Sequence, residues 1–138
     1  MTPAAEKRLL QATLLLLALS PLSVGLLGAL GGPAGLGEGD AVAGDVSSHW
    51  RYLSGIFLGL GIMLLSCVRH IEREGRLFGF VCLAVVLGGL ARLGGGLLEG
   101  WPSSGYRIGL LLELGVTPAV WAWQQRVARR FEVPAGRA

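Results

Sequence analysis

Four long apolar blocks dominate the sequence, and short polar or glycine-rich connections separate them. Their approximate bounds are residues 9–30, 51–68, 77–98 and 108–125. Each block is close to the roughly 20 helical residues that cross a bilayer, and none alternates like a barrel strand. The pattern predicts an all-α integral membrane four-helix bundle, in which residues 1–138 form a single transmembrane domain.

The composition excludes soluble and fibrous classes of protein. Of the 138 residues, 52% are hydrophobic and only 15% are charged, whereas an ordinary soluble domain has about 25% charged residues. The 23 glycines follow no three-residue period, so the chain is not collagen-like. The net charge of +3 does not indicate nucleic-acid binding, because the basic residues lie between and after the apolar blocks.

Basic residues are divided unevenly between the two predicted sides of the membrane. The side with both termini has nine of them, Lys7, Arg8, Arg69, Arg73, Arg76, Arg126, Arg129, Arg130 and Arg137. The opposite side has only Arg51 and Arg107. The positive-inside rule therefore predicts a multi-pass membrane protein with both termini in the cytoplasm.

The first block has a competing interpretation as a secretory signal peptide. Lys7 and Arg8 precede a leucine-rich core, and residues 28–31 resemble a cleavage site. Cleavage would leave three spans and place the new N-terminus outside. We favour an uncleaved first span because the apolar stretch is long for a signal core.

Two opposite charges interrupt the third and fourth blocks. Arg92 lies six residues before Leu98 and Glu113 five residues after Ile108, so both should lie roughly 8–9 Å from the outer boundary. A short turn joins their helices, which predicts an ion pair; the alternative is that Arg92 extends to the outer headgroups. The predicted charge cluster comprises Arg51, Arg92, Glu99 and Glu113, with His49 nearby. A structural clamp and a functional site both fit this arrangement.

Glycines recur at helical spacing beside these charges. Gly55 and Gly59 form a GxxxG motif, and Gly88 and Gly95 share a helix face with Arg92. Small residues allow helices to approach closely. We therefore predict that these four glycines pack against neighbouring helices, either within the bundle or between copies of the chain.

No motif in the sequence indicates a particular chemistry. The signatures GxSxG and HExxH and the phosphate-binding Walker loop are absent. His49 and His70 fall at opposite ends of the second span, so they cannot share a metal. Cys67 and Cys82 lack metal-type spacing and are interpreted as small buried apolar residues. We expect no metal, no cofactor and no nucleic-acid partner, and the catalytic residues, if any, are unknown.

Several short motifs resemble one known family. They are the segment 51–55 that opens the second span, the segment 91–94 around Arg92, the turn 99–102 and Glu113. With these motifs the chain resembles the small bacterial four-span membrane proteins of family 4345 of the domains of unknown function. The chain departs from that family's pattern at His49, where an acidic or amide residue is frequent, and at Glu99, where Asp is frequent. The resemblance implies four spans and supplies no reaction.

Three classes of function remain open. We favour an accessory or binding protein that packs with membrane lipids, with other membrane subunits or with itself, because the chain is small and has no soluble domain. A membrane enzyme acting on a lipophilic substrate is an alternative, with Glu113 as acid or base and Arg92 as charge stabiliser. A small carrier using Glu113 as a proton or ion site is the third. A closed cavity around Glu113 would favour the enzyme, and a continuous polar path would favour transport.

Overall fold

The computed structural model describes residues 1–36, 43–101 and 103–132, which are helical over most of their length. The three long helices are α1 (Pro3–Gly31), α2 (Gly44–Val68) and α3 (Gly75–Glu99), with a short 3₁₀ turn at Pro33–Leu36. The last helical run is divided into α4 (Ser104–Leu111), a π-helical segment (Leu112–Val116) and α5 (Thr117–Phe131). The described residues contain no β-strand, which confirms the all-α class. Of the positions singled out above, residue 102 at the end of the turn 99–102 and Arg137 lie outside the described ranges.

The helices α1, α2 and α3 are long and apolar enough to cross a membrane. Only 22–28% of the residues in their most apolar windows are buried, so most of their aliphatic surface faces outward. Exposing such a surface to water would cost free energy, whereas the hydrocarbon of a bilayer accommodates it. The predicted fourth span, 108–125, is distributed over α4, the π-helical segment and α5, so a fourth crossing stays a prediction.

Glycines with positive φ end two of the long helices. Gly32 has φ +64° and follows α1 directly, and its N–H donates to the carbonyl of Gly28 at 2.9 Å. Gly100 has φ +106° and follows α3. A residue with a Cβ adopts these angles only with strain, so glycine at both positions explains where the helices stop.

The chain folds as two compact units, and the first comprises residues 11–69. Its two helices, α1 and α2, are in close contact at Gly25, where a Cβ would lie 2.6 Å from the backbone nitrogen of Leu58. A Cβ at Gly28 would lie 2.9 Å from the Cβ of Ser54, and a Cβ at Gly61 would lie 3.2 Å from the Cβ of Pro21. Close helix packing in this unit therefore depends on the small residues at 25, 28 and 61.

The second unit comprises residues 1–10 and the chain from His70 onward. Its interior is apolar, and the side chains of Leu10, Ile71, Phe78, Val81 and Val127 are at most 4% exposed. A Cβ at Gly89 would lie 2.8 Å from the Cβ of Glu113, so α3 and the π-helical segment are in close contact at this glycine.

The glycines predicted for helix packing are not the ones that pack within either unit. At Gly55 and Gly59 of the first unit, and at Gly88 and Gly95 of the second, no described atom outside the glycine's own stretch of helix lies within 4 Å of where a Cβ would be. The physical reason is that each of them is next in sequence to a residue that does make the contact, and one residue along a helix turns the side chain to another face. Packing of these four between copies of the chain stays a prediction.

Candidate functional site

The second unit brings together two of the charged residues predicted from the sequence. Arg92 of α3 donates from Nε to Oε2 of Glu113 at 3.0 Å and from Nη2 to Oε1 at 2.9 Å. The Arg92 side chain is 34% exposed and that of Glu113 is 14% exposed. Paired hydrogen bonds of this kind fix the orientation of both groups, and they engage both carboxylate oxygens.

The local backbone explains how Glu113 reaches Arg92. Glu113 lies in the π-helical segment, where the Thr117 hydroxyl donates to the Leu112 carbonyl at 2.9 Å, five residues back. Single-turn π segments inside helices often occur at functional positions. Gly89 faces this segment without a side chain, which leaves room for the Glu113 stem beside α3.

An aromatic ring completes the surroundings of Arg92. The ring centroid of Tyr106, from α4, lies 5.2 Å from the guanidinium carbon. This distance is within the range of a cation–π contact. Arg92 therefore has contacts to both α4 and the π-helical segment, and it connects α3 to that part of the chain.

The other members of the predicted cluster have different surroundings. Arg51 lies in the first unit, where its Nη1 donates to the carbonyl of Ala29 at 3.1 Å and to that of Leu30. These carbonyls belong to the last turn of α1, where a cation is favourable. His49 and Glu99 are exposed, and neither has an ion pair with a described residue. Among the described residues, no three His, Cys, Asp or Glu side chains form a potential metal site.

A second polar cluster, centred on Glu6, was not predicted from the sequence. This side chain is only 3% exposed. Its carboxylate accepts hydrogen bonds from Trp123 Nε1 at 3.3 Å and Arg130 Nη1 at 2.6 Å, and it forms an ion pair with Arg126 Nε at 3.2 Å. The sequence signal was present in the spacing of the donors, which lie three and four residues apart on α5 and share a face.

Neighbouring polar contacts tie α1 and α5 to the turn before α3. Lys7 Nζ lies 2.8 Å from Glu72 Oε2, and the buried Gln124 donates to the Ile71 carbonyl at 2.8 Å. Burial alone would raise the pKa of Glu72, but the contact with Lys7, a backbone hydrogen bond and the nearby His70 together outweigh it and leave that pKa lowered.

An open groove of about 550 Å³ lies between α3 and α5. Its lining is mostly apolar and consists of Gly75, Arg76, Gly79, Phe80, Cys82, Leu83, Val86, Pro118, Trp121 and Gln125. Phe80, Leu83 and Trp121 at its rim are 45–63% exposed. Its volume lies within the range of small-molecule sites.

A smaller recess of about 370 Å³ adjoins the groove and shares Trp121 and Gln125 with it. Its remaining lining is Ala122, Arg126 and Arg129, so its charged side chains are all basic. The Gln125 amide donates to Oε1 of Gln124 at 2.9 Å, which holds Gln125 at the junction of the two spaces.

Comparison with protein families gives one match. A sequence profile of the family described as "Domain of unknown function (DUF4345)" matches residues 9–124. The chain belongs to the DUF4345 family. The DUF4345 match includes the Arg92–Glu113 pair and most of the groove lining, and it ends before Arg126 and Arg129. No curated protein and no solved structure matches the chain.

Proposed function

We propose that this DUF4345 protein is a small accessory protein of the bacterial inner membrane that binds a membrane lipid. In this proposal the chain spans the membrane four times as one helical bundle, and both termini are cytoplasmic. The excess of basic residues on one side supports that orientation. Lipids are its first partners, and other membrane subunits or further copies of the chain are the others.

The groove between α3 and α5 carries the proposal. On α3 it is lined from Gly75 through Gly79 and Leu83 to Val86, which lie on one helix face. This stretch is about 16 Å long at 1.5 Å per residue. The hydrocarbon core of a bilayer is about 30 Å thick, so the groove matches the depth of one leaflet. An acyl chain from the cytoplasmic leaflet fits an apolar groove of this length and position.

The Arg92–Glu113 pair supports binding rather than catalysis or transport. Both carboxylate oxygens of Glu113 are engaged by the guanidinium, which opposes their use as a base or as an ion ligand. We assign the pair as a clamp. By holding the π-helical segment against α3, it fixes the start of α5 and therefore one wall of the groove.

Lipid retention tests this function. The protein is extracted in a mild detergent, and native mass spectrometry counts the phospholipids that remain bound. We expect one retained lipid in the unmodified protein and none in Leu83→Trp or Gly79→Leu, whose larger side chains fill the groove. Leu97→Trp is the matched control, since Leu97 is a 68% exposed leucine of α3 outside the groove.

Two results would contradict the proposal. One is an unmodified protein that retains no lipid, and the other is equal retention by all the variants. Circular dichroism and gel filtration of each variant establish that a lost lipid does not reflect a lost fold. If one groove variant fails to fold, the other still tests the proposal.

A further inference from the structure

Polarity changes in the same direction along both walls of the groove. On α5, Pro118 and Trp121 are followed by Gln125 and then by Arg129, at helical spacings of three and four residues. On α3 the apolar lining from Val86 to Gly79 leads to Arg76. Both walls therefore begin apolar and end in an arginine at the same end of the unit.

Of the three arginines that line the groove and the recess, two have no ion pair with a described residue. Glu6 is the carboxylate that contacts Arg126 and Arg130, and the Arg126 side chain remains 64% exposed beside it. Arg76 and Arg129 are exposed, and neither has a salt bridge or a side-chain hydrogen bond to a described residue. The groove and the adjoining recess therefore each have one guanidinium group, Arg76 and Arg129 respectively, that is available to a ligand.

We infer that the bound lipid is an anionic glycerophospholipid of the cytoplasmic leaflet, with its acyl chain in the groove and its phosphate held by Arg76 and Arg129. This inference rests on the proposed function. Guanidinium groups bind phosphate oxygens in pairs of hydrogen bonds, and basic pockets between membrane helices favour anionic headgroups. Trp121 and Gln125, between the apolar and basic parts, lie where a lipid's ester region would be.

The experiment compares two lipids that differ only in headgroup charge. Detergent-purified protein is titrated with phosphatidylglycerol or phosphatidylcholine of identical acyl chains, and native mass spectrometry gives the bound fraction. We expect phosphatidylglycerol to bind roughly tenfold or more tightly than phosphatidylcholine. The double variant Arg76→Gln/Arg129→Gln should bind both lipids equally, at the phosphatidylcholine level.

A matched variant controls for the change in net charge. Arg69→Gln/Arg73→Gln removes two exposed arginines that do not line the groove or the recess, and it should keep the preference for phosphatidylglycerol. Equal binding of both lipids to the unmodified protein, or equal loss of preference in both double variants, would overturn the inference and leave the lipid-binding function standing. Failure to bind either lipid would overturn both.

Discussion

Arg92 and Glu113 are joined by two hydrogen bonds of 3.0 and 2.9 Å, and the glutamate lies in a π-helical segment opposite Gly89. An arginine on α3 thus holds the one irregular turn of the last helical run. Because Gly89 has no side chain, Glu113 occupies the space beside α3. The ion pair is therefore part of the contact between α3 and the π-helical segment.

A double-mutant cycle tests whether these two charges act as a pair. Arg92→Leu or Glu113→Leu alone leaves an unpaired charge and should lower the free energy of unfolding by about 1–3 kcal/mol. This is less than the roughly 3–5 kcal/mol of a fully buried pair, because the Arg92 side chain is 34% exposed. The double variant should recover part of the loss. Thermal unfolding in detergent measures each value, with Arg107→Leu as an exposed control, and strictly additive losses would show that the two charges act separately.

Glycine substitutions in the first unit should differ sharply with position. Gly25→Leu introduces a side chain where a Cβ already meets the backbone of Leu58 at 2.6 Å, and backbone cannot move aside. We expect a loss of about 1–3 kcal/mol or a failure to fold. Gly59→Leu, on α2 with open space around it, should change stability by less than about 0.5 kcal/mol. Similar losses for both would contradict this packing, and gel filtration of Gly59→Leu also tests its predicted role between copies.

Acid should weaken the contact between Lys7 and Glu72. The pKa of Glu72 is lowered in the folded protein, so its contribution to stability is present above the ordinary value of 4.5 and is lost as the pH falls through the folded value. The difference in melting temperature between the unmodified protein and Glu72→Gln should therefore shrink as the pH decreases from 6 toward 3. Glu132→Gln removes an exposed carboxylate without an ion pair among the described residues and is the control. A difference that is constant with pH would contradict the assignment.

Reporter fusions test the proposed topology. A fusion at the C-terminus should be active only as a cytoplasmic reporter, and a fusion after Ser104 only as a periplasmic one. If the last helical run did not cross the membrane, the C-terminal signal would change side. A periplasmic signal from the C-terminal fusion would therefore reject the four-span arrangement, whereas cleavage of the first block would leave both signals unchanged.

The sequence predicted the helices and the partners of the ion pair better than it predicted the packing. Long apolar blocks specify helix positions directly, and opposite charges on helices joined by a short turn have few other partners. Periodicity alone, however, could not distinguish Gly25 from Gly55, since 23 glycines offer many such spacings. The Glu6 cluster was missed because it depends on the two ends of the chain meeting, and the π-helical segment because one extra residue per turn leaves no mark in the sequence.

Photolabelling tests most directly whether a lipid occupies the space between α3 and α5. The probe is phosphatidylglycerol with a diazirine in its acyl chain, reconstituted with the protein in phosphatidylcholine vesicles and illuminated before peptide mapping. Binding in the groove predicts labels concentrated at Leu83, Val86 and Trp121, with loss of this labelling in Gly79→Leu. Labels spread over exposed leucines such as Leu16 and Leu97 in proportion to their exposure would contradict it.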